Sequence, residues 1–130
     1  SLEKRDSASW KPKSWVIGVM HNASSKAYDW NKLMKTKVIN DSIEGLRLVI
    51  ILENDTASFH VYDRHVNGTT LNFQKANNDM LTDENTNSIW NMDGLCIDGL
   101  LKGNILKPVQ SYQEFWHSWS TFHSNTMKYN

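Results

Sequence analysis

Histidine and cysteine are the residues in this sequence whose side chains best suit a transition metal. Imidazole nitrogen and thiolate sulfur bind copper or zinc, and the chain offers His60, His117 and His123 for this role, with Cys96 as a further donor. His117 and His123 lie six positions apart, about 240° around a helix, so these two cannot bind one ion as an i, i+4 pair does. For His60, which the predicted strand pairing places beside Tyr62 and Phe73, a hydrogen-bonded core position is the alternative. A copper or zinc site built from separate elements is therefore one open hypothesis.

Acid–base catalysis would need polar groups that meet on one surface. Asp63, Arg64 and His65 have suitable side chains, but neighbouring residues of an extended strand point to opposite faces. The chain also has no Gly-x-Ser-x-Gly sequence, which marks the nucleophile of one large hydrolase class. No catalytic residue is assigned, and an enzyme with an unrecognised site stays an alternative. We interpret Arg64 as a structural residue that pairs with a buried carboxylate such as Asp41 or Asp98.

Tryptophan is frequent, with six residues in a chain of 130. Its flat ring buries a large area at low entropic cost and is common in docking surfaces for sugars and proteins. Trp116 and Trp119 are accounted for by a predicted helix, whereas the local pattern does not constrain Trp30 and Trp90. Trp30 and Trp90 are therefore predicted to bind a partner.

Length and charge limit the classes of protein to which the chain can belong. A chain of 130 residues is ordinary for one domain with its own core. Its 14 basic residues balance 14 acidic ones, so it lacks the basic excess typical of proteins that bind nucleic acid. A single cysteine excludes an intrachain disulfide. No run approaches the ~20 apolar residues of a membrane helix, so no transmembrane segment is predicted in this chain.

Apolar and β-branched runs predict the first elements. WVIGVMHN (15–22) is typical of a mostly buried first strand, and LRLVIILEN (46–54) of a central strand. Between them, KAYDWNKLMKTKVI (26–39) spaces its apolar residues loosely at helical intervals, which predicts a short helix. The polar sequence NNDMLTDENTNS (77–88) predicts a loop.

Asn67-Gly68 joins two alternating runs and predicts a β-hairpin. Both residues tolerate positive φ, as a two-residue type I′ turn requires. Such a turn would pair Val66 with Thr69 and continue to Tyr62 opposite Phe73. One face would then carry His60, Tyr62, Val66, Leu71 and Phe73, and the other Phe59, Val61, His65, Asn72 and Gln74. The first face is predicted to be core, and Gly68 to be structural.

The C-terminal part predicts two short strands and a helix. SIWNM (88–92) and GLCIDG (94–99) read as strands separated by a turn. Ser111 with Glu114 three residues later forms a capping-box pattern, so the helix should begin there. Its apolar stripe would consist of Tyr112, Phe115, Trp116, Trp119 and Phe122. Within that stripe Phe115, Trp116 and Trp119 are predicted to close the core.

These elements predict an α+β fold, namely an antiparallel twisted sheet or partial barrel of about six strands with two short helices. Residues 1–13 are predicted to form a flexible lead-in, and residues 14–130 a single globular domain.

The order of several short segments resembles a bacterial domain-of-unknown-function family, numbered three-one-seven-nine. The resemblance is carried by the Trp-Val-Ile-Gly-Val strand (15–19), Val-Tyr-Asp-Arg (61–64) with Asn67-Gly68, and Phe-Trp-His-Ser-Trp (115–119). It covers residues 14–130. Many relatives carry a Cys-Pro-x-Cys motif after the central strand, but the matching loop here, 53–57, has no cysteine. The long polar linkers, the many asparagines and the Trp-His-Ser-Trp segment (116–119) are most similar to a Bacteroidetes-like branch, here without the cysteine motif.

The resemblance implies a location outside the cytoplasm, because members of the family are mostly exported or membrane-tethered, and some are described as selenoproteins. We expect a periplasmic or otherwise extracytoplasmic, non-enzymatic module. It would dock on a protein partner in the cell envelope, as an accessory subunit or domain of a larger assembly. The first alternative is a metal-binding or redox-accessory protein related to the cysteine-bearing members. No resident cofactor is predicted, and copper or zinc is the candidate metal.

Overall fold

The computed structural model describes residues 4–130, which form two compact units. The first unit combines the described residues up to Lys35 with Gln110–Asn130, and the second is Thr36–Val109. In chain order the elements are β1 (Trp15–His21), β2 (Ser24–Asp29), α1 (Trp30–Thr36), β3 (Val38–Ile43), β4 (Leu46–Leu52), β5 (Phe59–Asp63), β6 (His65–Val66), β7 (Thr69–Thr70), β8 (Phe73–Ala76), β9 (Met80–Asp83), β10 (Ile89–Trp90), β11 (Cys96–Asp98), β12 (Lys107–Pro108), β13 (Ser111–Phe115), α2 (Trp116–Phe122) and β14 (Met127–Lys128).

The first unit is built on one sheet with the order β13-β1-β2-β14. Its central hairpin, β1-β2, turns at Asn22, which adopts a φ of 55°, a conformation that asparagine tolerates. β13 pairs antiparallel with β1, and β14 pairs parallel with β2. One core cluster of this unit consists of Val16, Ala27 and Trp119, with Trp10 and Trp116 packed against it.

The second unit contains two four-stranded sheets and a two-stranded one. The sheet orders are β12-β5-β4-β3, β11-β10-β9-β8 and β6-β7, and all of their strand pairs are antiparallel. β4 is an inner strand whose residues Leu48–Leu52 are all buried, as its β-branched run predicts. One core cluster of this unit consists of Val49, Ile51, Tyr62, Leu71, Phe73, Leu81, Trp90, Met92, Cys96 and Leu106.

The predicted fold class is confirmed in its coarse form and wrong in its architecture. The described chain is mostly β, with antiparallel sheets and two short helices, as expected. It has four sheets, however, rather than one sheet or partial barrel of about six strands. Many of the strands are short and are joined by tight turns with positive φ, such as those at Gly45 and Asn78. Hairpins such as β3-β4 and β8-β9 are therefore divided among separate sheets.

The Asn67-Gly68 hairpin is confirmed at its turn and wrong in its length. Asn67 and Gly68 have φ values of 49° and 80°, and Val66 pairs with Thr69 as predicted. Tyr62 does not pair with Phe73, because Tyr62 lies opposite Val49 of β4 and Phe73 opposite Asp83 of β9.

Two further sequence assignments are wrong in part. The predicted helix at 26–39 begins only at Trp30, since residues up to Asp29 belong to β2 and pair with β1. The predicted polar loop at 77–88 contains strand β9, whose Leu81 and Asp83 are buried while Thr82 is partly exposed. Alternation in burial, rather than a long apolar run, defines this strand.

The C-terminal helix begins later than its capping-box pattern predicts. Ser111–Phe115 forms β13, and α2 begins at Trp116 with Phe115 as an N-cap in extended conformation. The predicted stripe is therefore divided between a strand and a helix. Only Trp119 of that stripe is fully buried, and Phe122 is 81% exposed.

The predicted lead-in, 1–13, contains no helix or strand in its described part, 4–13. Residues 1–3 lie outside the described residues. The Asp6 N–H donates to the Lys13 carbonyl, and the Lys13 N–H donates to the Asp6 carboxylate at 2.8 Å. The division into a flexible lead-in and a single domain at 14–130 stays a prediction.

Candidate functional site

His60 is the predicted metal ligand with a clear polar partner. It lies on β5, and Glu53 follows β4, which pairs with β5. The His60 Nε2 atom is 2.5 Å from Glu53 Oε2, and both side chains are 27% exposed. The His60 ring also lies parallel to the Tyr62 ring, with 5.8 Å between centroids. This arrangement offers one nitrogen and one carboxylate oxygen at the end of a hairpin.

The predicted ligands His117 and His123 belong to the first unit, whereas His60 belongs to the second. His117 is exposed on α2, and the His123 ring packs against the Trp119 ring at 3.8 Å. In residues 4–130 no group of three or more His, Cys, Asp or Glu side chains is arranged to hold a metal ion. Cys96 is a buried free thiol in the core of the second unit. A copper or zinc site stays a prediction.

The loop between β4 and β5 is organised by Asp55. Its carboxylate accepts hydrogen bonds from the Ala57 and Ser58 N–H groups, and from Ser58 Oγ at 2.6 Å. These donors, the Ser58 hydroxyl foremost, lower the pKa of Asp55 from 3.8 to about 2. Lys75 supports the same region by donating to Asp79 at 2.7 Å. The loop is therefore a rigid turn rather than an open acidic site.

Arg64 is the predicted structural arginine, and it is a buried side chain that links several backbone segments through hydrogen bonds. It is 8% exposed, and its guanidinium donates to three backbone carbonyls, those of Leu48 at 2.8 Å, Leu71 at 3.1 Å and Asp41 at 3.1 Å. Burial lowers the pKa of Arg64, and the charge of Asp41 acts in the opposite direction. The guanidinium thereby joins β3, β4 and the segment after β7.

Trp30 and Trp90, the predicted partner-binding residues, are both buried. Trp30 is 4% exposed and Trp90 is 0% exposed. Trp90 packs edge-on against Phe73 in the core of the second unit, and its Nε1–H donates to the buried carboxylate of Asp83 at 2.9 Å. The indole of Trp90 thus donates a hydrogen bond to a buried carboxyl group instead of facing solvent. A docking surface must therefore use other side chains.

The aromatic residues of α2 are positioned by contacts within the first unit. Trp119 is buried and lies against Gly18 of β1, while Trp116 packs edge-on against Trp10 at 5.0 Å. Lys128 of β14 places its ammonium 4.9 Å from the Trp116 ring and 5.0 Å from the Trp10 ring. This cation–π cluster ties three separate segments together, and its own lysine occupies the aromatic faces.

A shallow cleft of about 600 Å³ lies beside α1. It is lined by Ser7, Ala8, Ser9, Asn31, Met34 and Lys35. Its polar groups already bond to one another, because Asn31 Nδ2 donates to the Ser7 carbonyl at 3.0 Å and to Ser9 Oγ at 3.2 Å. The cleft therefore presents few free donors to a ligand.

The large exposed apolar side chains of the second unit lie on one hairpin, residues 95–106. Residues 95–98 run beside 103–106, as shown by the Leu95–Ile105 bridge and the hydrogen bonds that join Cys96 to Gly103 and Asn104. Leu100 at the turn is 80% exposed, Ile105 is 71% exposed and Ile97 is 37% exposed.

The direction of these side chains follows from the strand pairing. Leu95 and Ile105 are bridge partners, so their side chains point to the same side of the hairpin. Their neighbours in sequence, Cys96 and Leu106, point into the core. The outer side of the 95–106 hairpin is therefore apolar and accessible. Sequence reasoning missed this surface, although Leu100-Leu101 between Gly99 and Gly103 is an unusual apolar pair for a glycine-flanked turn.

Comparison with known proteins identifies the family. Residues 1–126 match the family model described as "Protein of unknown function (DUF3179)". The chain therefore belongs to this family, and the resemblance inferred from its motifs is confirmed. Neither a curated protein nor a solved structure matches the chain. Within the described residues no helix has the length and apolar character needed to cross a membrane.

Proposed function

We propose that this chain is a non-enzymatic, extracytoplasmic module that docks on a membrane-bound or envelope protein through the outer side of the 95–106 hairpin. The single observation that carries the proposal is the exposure of Ile97, Leu100 and Ile105 on one hairpin. Exposed apolar side chains that cluster in this way are typical of protein interaction surfaces. The extracytoplasmic location rests on the resemblance to exported and membrane-tethered relatives.

The hairpin has the rigidity that a docking surface needs. Gly103 N–H donates to the Cys96 carbonyl at 2.9 Å, and Cys96 N–H donates to the Asn104 carbonyl at 2.9 Å. Leu106 anchors the returning segment in the core. A surface held in one conformation loses little entropy when a partner binds. Leu100 and Ile105 are therefore proposed as the central contacts.

Native mass spectrometry of the protein purified gently from its own cells tests this role. We expect a stoichiometric complex with an envelope protein for the unmodified chain, and loss of that complex for the double variant Leu100→Ser/Ile105→Ser. Phe122→Ser is the matched control, because Phe122 is 81% exposed in the first unit. A chain that is free of partners, or a complex that survives the double variant, would refute the proposed docking surface.

Metal binding is the second candidate function, and the contact between His60 and Glu53 favours it. A neutral imidazole and a carboxylate are both ligands that zinc accepts. The same spectrum tests this alternative by an added mass of one transition-metal ion that a chelator removes. His60→Ala should abolish that added mass, whereas His65→Ala, an exposed histidine near the Asn67-Gly68 turn, should retain it.

A further inference from the structure

The outer edge of β13 in the first unit is a second surface with unpaired backbone groups. β13 is the terminal strand of its sheet, and in residues 4–130 no further strand follows it. Its register with β1 is regular over five residue pairs, from Trp15 opposite Phe115 to Val19 opposite Ser111. Such a strand is a template for another strand unless it is protected.

The direction of the backbone groups can be assigned from the register. The Trp116 N–H donates to the carbonyl of Ser14, the residue before β1, so the backbone N–H of Trp116 points toward the β1 side of the strand. Residues of an antiparallel strand alternate in direction, and Ser111 and Gln113 therefore point their N–H and C=O groups to the outer edge. Phe115 points only its N–H there, because it is the N-cap of α2 and its C=O accepts the first hydrogen bond of that helix. The side chains of Tyr112 and Gln113, which point to opposite faces of the sheet, are both exposed, so neither face of the strand is covered at these two positions.

The terminal strands of the second unit carry the protections that β13 lacks. β12 contains Lys107 and Pro108, and β11 is covered by the hydrogen bonds of the returning segment 103–104. The edge of β3 is joined to β8 by the side chain of Asn40. Its Nδ2 donates to the Phe73 carbonyl, and its Oδ1 accepts from the Phe73 N–H, both at 3.0 Å. β13 has no lysine, no proline and no bulge. Glu114 is the one charged side chain of this five-residue edge strand, and it lies off the central position, Gln113, so we take the edge as a pairing surface.

We propose that β13 pairs with β13 of a second copy of this chain, antiparallel about a two-fold axis at Gln113. This register places Gln113 opposite its own copy and Ser111 opposite Phe115, so both backbone groups of Gln113, the C=O of Ser111 and the N–H of Phe115 gain partners. Tyr112 then lies directly opposite Glu114 of the other copy, and no carboxylate directly faces a carboxylate. A two-fold axis requires such a self-complementary surface, and the sequence of β13 provides it.

The proposal differs from the docking role because it uses the first unit and another surface. Strand pairing alone buries less area than a standard interface of about 1,600 Å², so the dimer is weak and depends on concentration. Sedimentation velocity across a concentration series should show a monomer–dimer equilibrium. Gln113→Lys places like charges directly opposite one another and should weaken dimerisation about fivefold or more. Gln74→Lys, which makes the same change at an exposed position of β8, should leave it unchanged.

Cysteine cross-linking tests the register itself. A hydrogen-bonded antiparallel pair has Cα atoms about 5.5 Å apart, within the range of a disulfide. Gln113→Cys should therefore give a covalent dimer under mild oxidation. Tyr112→Cys should not, because position 112 meets its own copy only diagonally, at about 7–8 Å. The native Cys96 is buried and does not compete.

The two measurements separate this inference from the proposed docking role. The expected result is a dimer that Gln113→Lys weakens, together with a cross-link that Gln113→Cys gives and Tyr112→Cys does not. A chain that stays monomeric at all concentrations overturns the proposal, as does a dimer lost in Leu100→Ser/Ile105→Ser but retained in Gln113→Lys. Cross-linking of Tyr112→Cys in preference to Gln113→Cys also overturns it. Circular dichroism of each variant verifies that the fold is intact.

Discussion

Arg64 shows how one buried charge can hold several backbone segments in place. Its guanidinium donates to carbonyls of Leu48, Leu71 and Asp41. Removal of the side chain would leave these acceptors without their donor in a region from which water is largely excluded. The planar fork of arginine is also needed, because a lysine ammonium cannot reach acceptors in three directions with the same geometry.

We predict that Arg64→Ala lowers the free energy of unfolding by about 3 kcal/mol, because buried acceptors lose their hydrogen bonds. Arg64→Lys should recover less than half of that loss. Urea denaturation followed by circular dichroism measures both. Arg47→Ala is the control, since Arg47 is exposed and a surface change of this kind costs at most about 0.5 kcal/mol. If Arg64→Ala and Arg47→Ala lower the free energy of unfolding equally, the hydrogen bonds of Arg64 do not stabilise the fold as proposed.

Asp55, through its ionisation, makes the stability of the fold depend on pH. Its folded pKa is about 2 rather than 3.8, so folding favours the charged carboxylate. This contribution to stability is complete above pH 3.8 and is lost as the pH falls toward 2. Ser58→Ala removes the hydrogen bond from Ser58 Oγ to the carboxylate.

We predict that Ser58→Ala raises the pKa of Asp55 toward 3.8, as measured by an NMR titration of the carboxyl carbon. Thr56→Ala is the control, because Thr56 Oγ1 donates to the backbone carbonyl of Asp55 and not to its carboxylate. A pKa that is unchanged in Ser58→Ala would show that the backbone donors alone hold the carboxylate ionised.

At the scale of elements, α2 packs on β1 through one close contact. The Trp119 ring lies over Gly18, and a Cβ atom at position 18 would overlap three atoms of that ring. Position 18 therefore requires glycine, because the fully buried Trp119 ring occupies the space that a side chain there would need.

We predict that Gly18→Ala destabilises the chain by about 2 kcal/mol through overpacking. In a Trp119→Leu background the same change should cost at least about 1 kcal/mol less, because the ring that it strikes is absent. A double-mutant cycle from urea unfolding curves measures this coupling. Additive effects would show that Gly18 and Trp119 act independently.

The elements that the sequence predicts well are those whose local signals agree with their neighbours. The apolar run of β4 and the Asn67-Gly68 turn have a single local solution, and both are found as expected. The capping-box pattern of Ser111 and Glu114 predicts a helix where β13 lies, because the pairing of β13 with β1 outweighs that local preference. The contact between His60 and Glu53 depends on strand register, which the sequence does not define. The exposed apolar hairpin depends on burial, which composition does not reveal.

At the scale of the whole molecule, the second unit is continuous in sequence and the first is not. The core cluster around Trp90 and all of the second unit's strand pairs come from residues 36–109. The first unit needs both chain ends, because β13 and β14 complete the sheet begun by β1 and β2. The two units therefore differ in what a truncated chain can form.

We predict that a fragment of residues 36–109 folds on its own. A domain of this size is marginally stable but can fold without staples, and Trp90, the only tryptophan in this span, is a built-in probe because its indole is buried. Urea should shift its fluorescence in one cooperative transition, and Arg64→Ala should lower the midpoint in the fragment as in the full chain. A gradual shift without a transition would mean that the second unit folds only as part of the single domain predicted for residues 14–130.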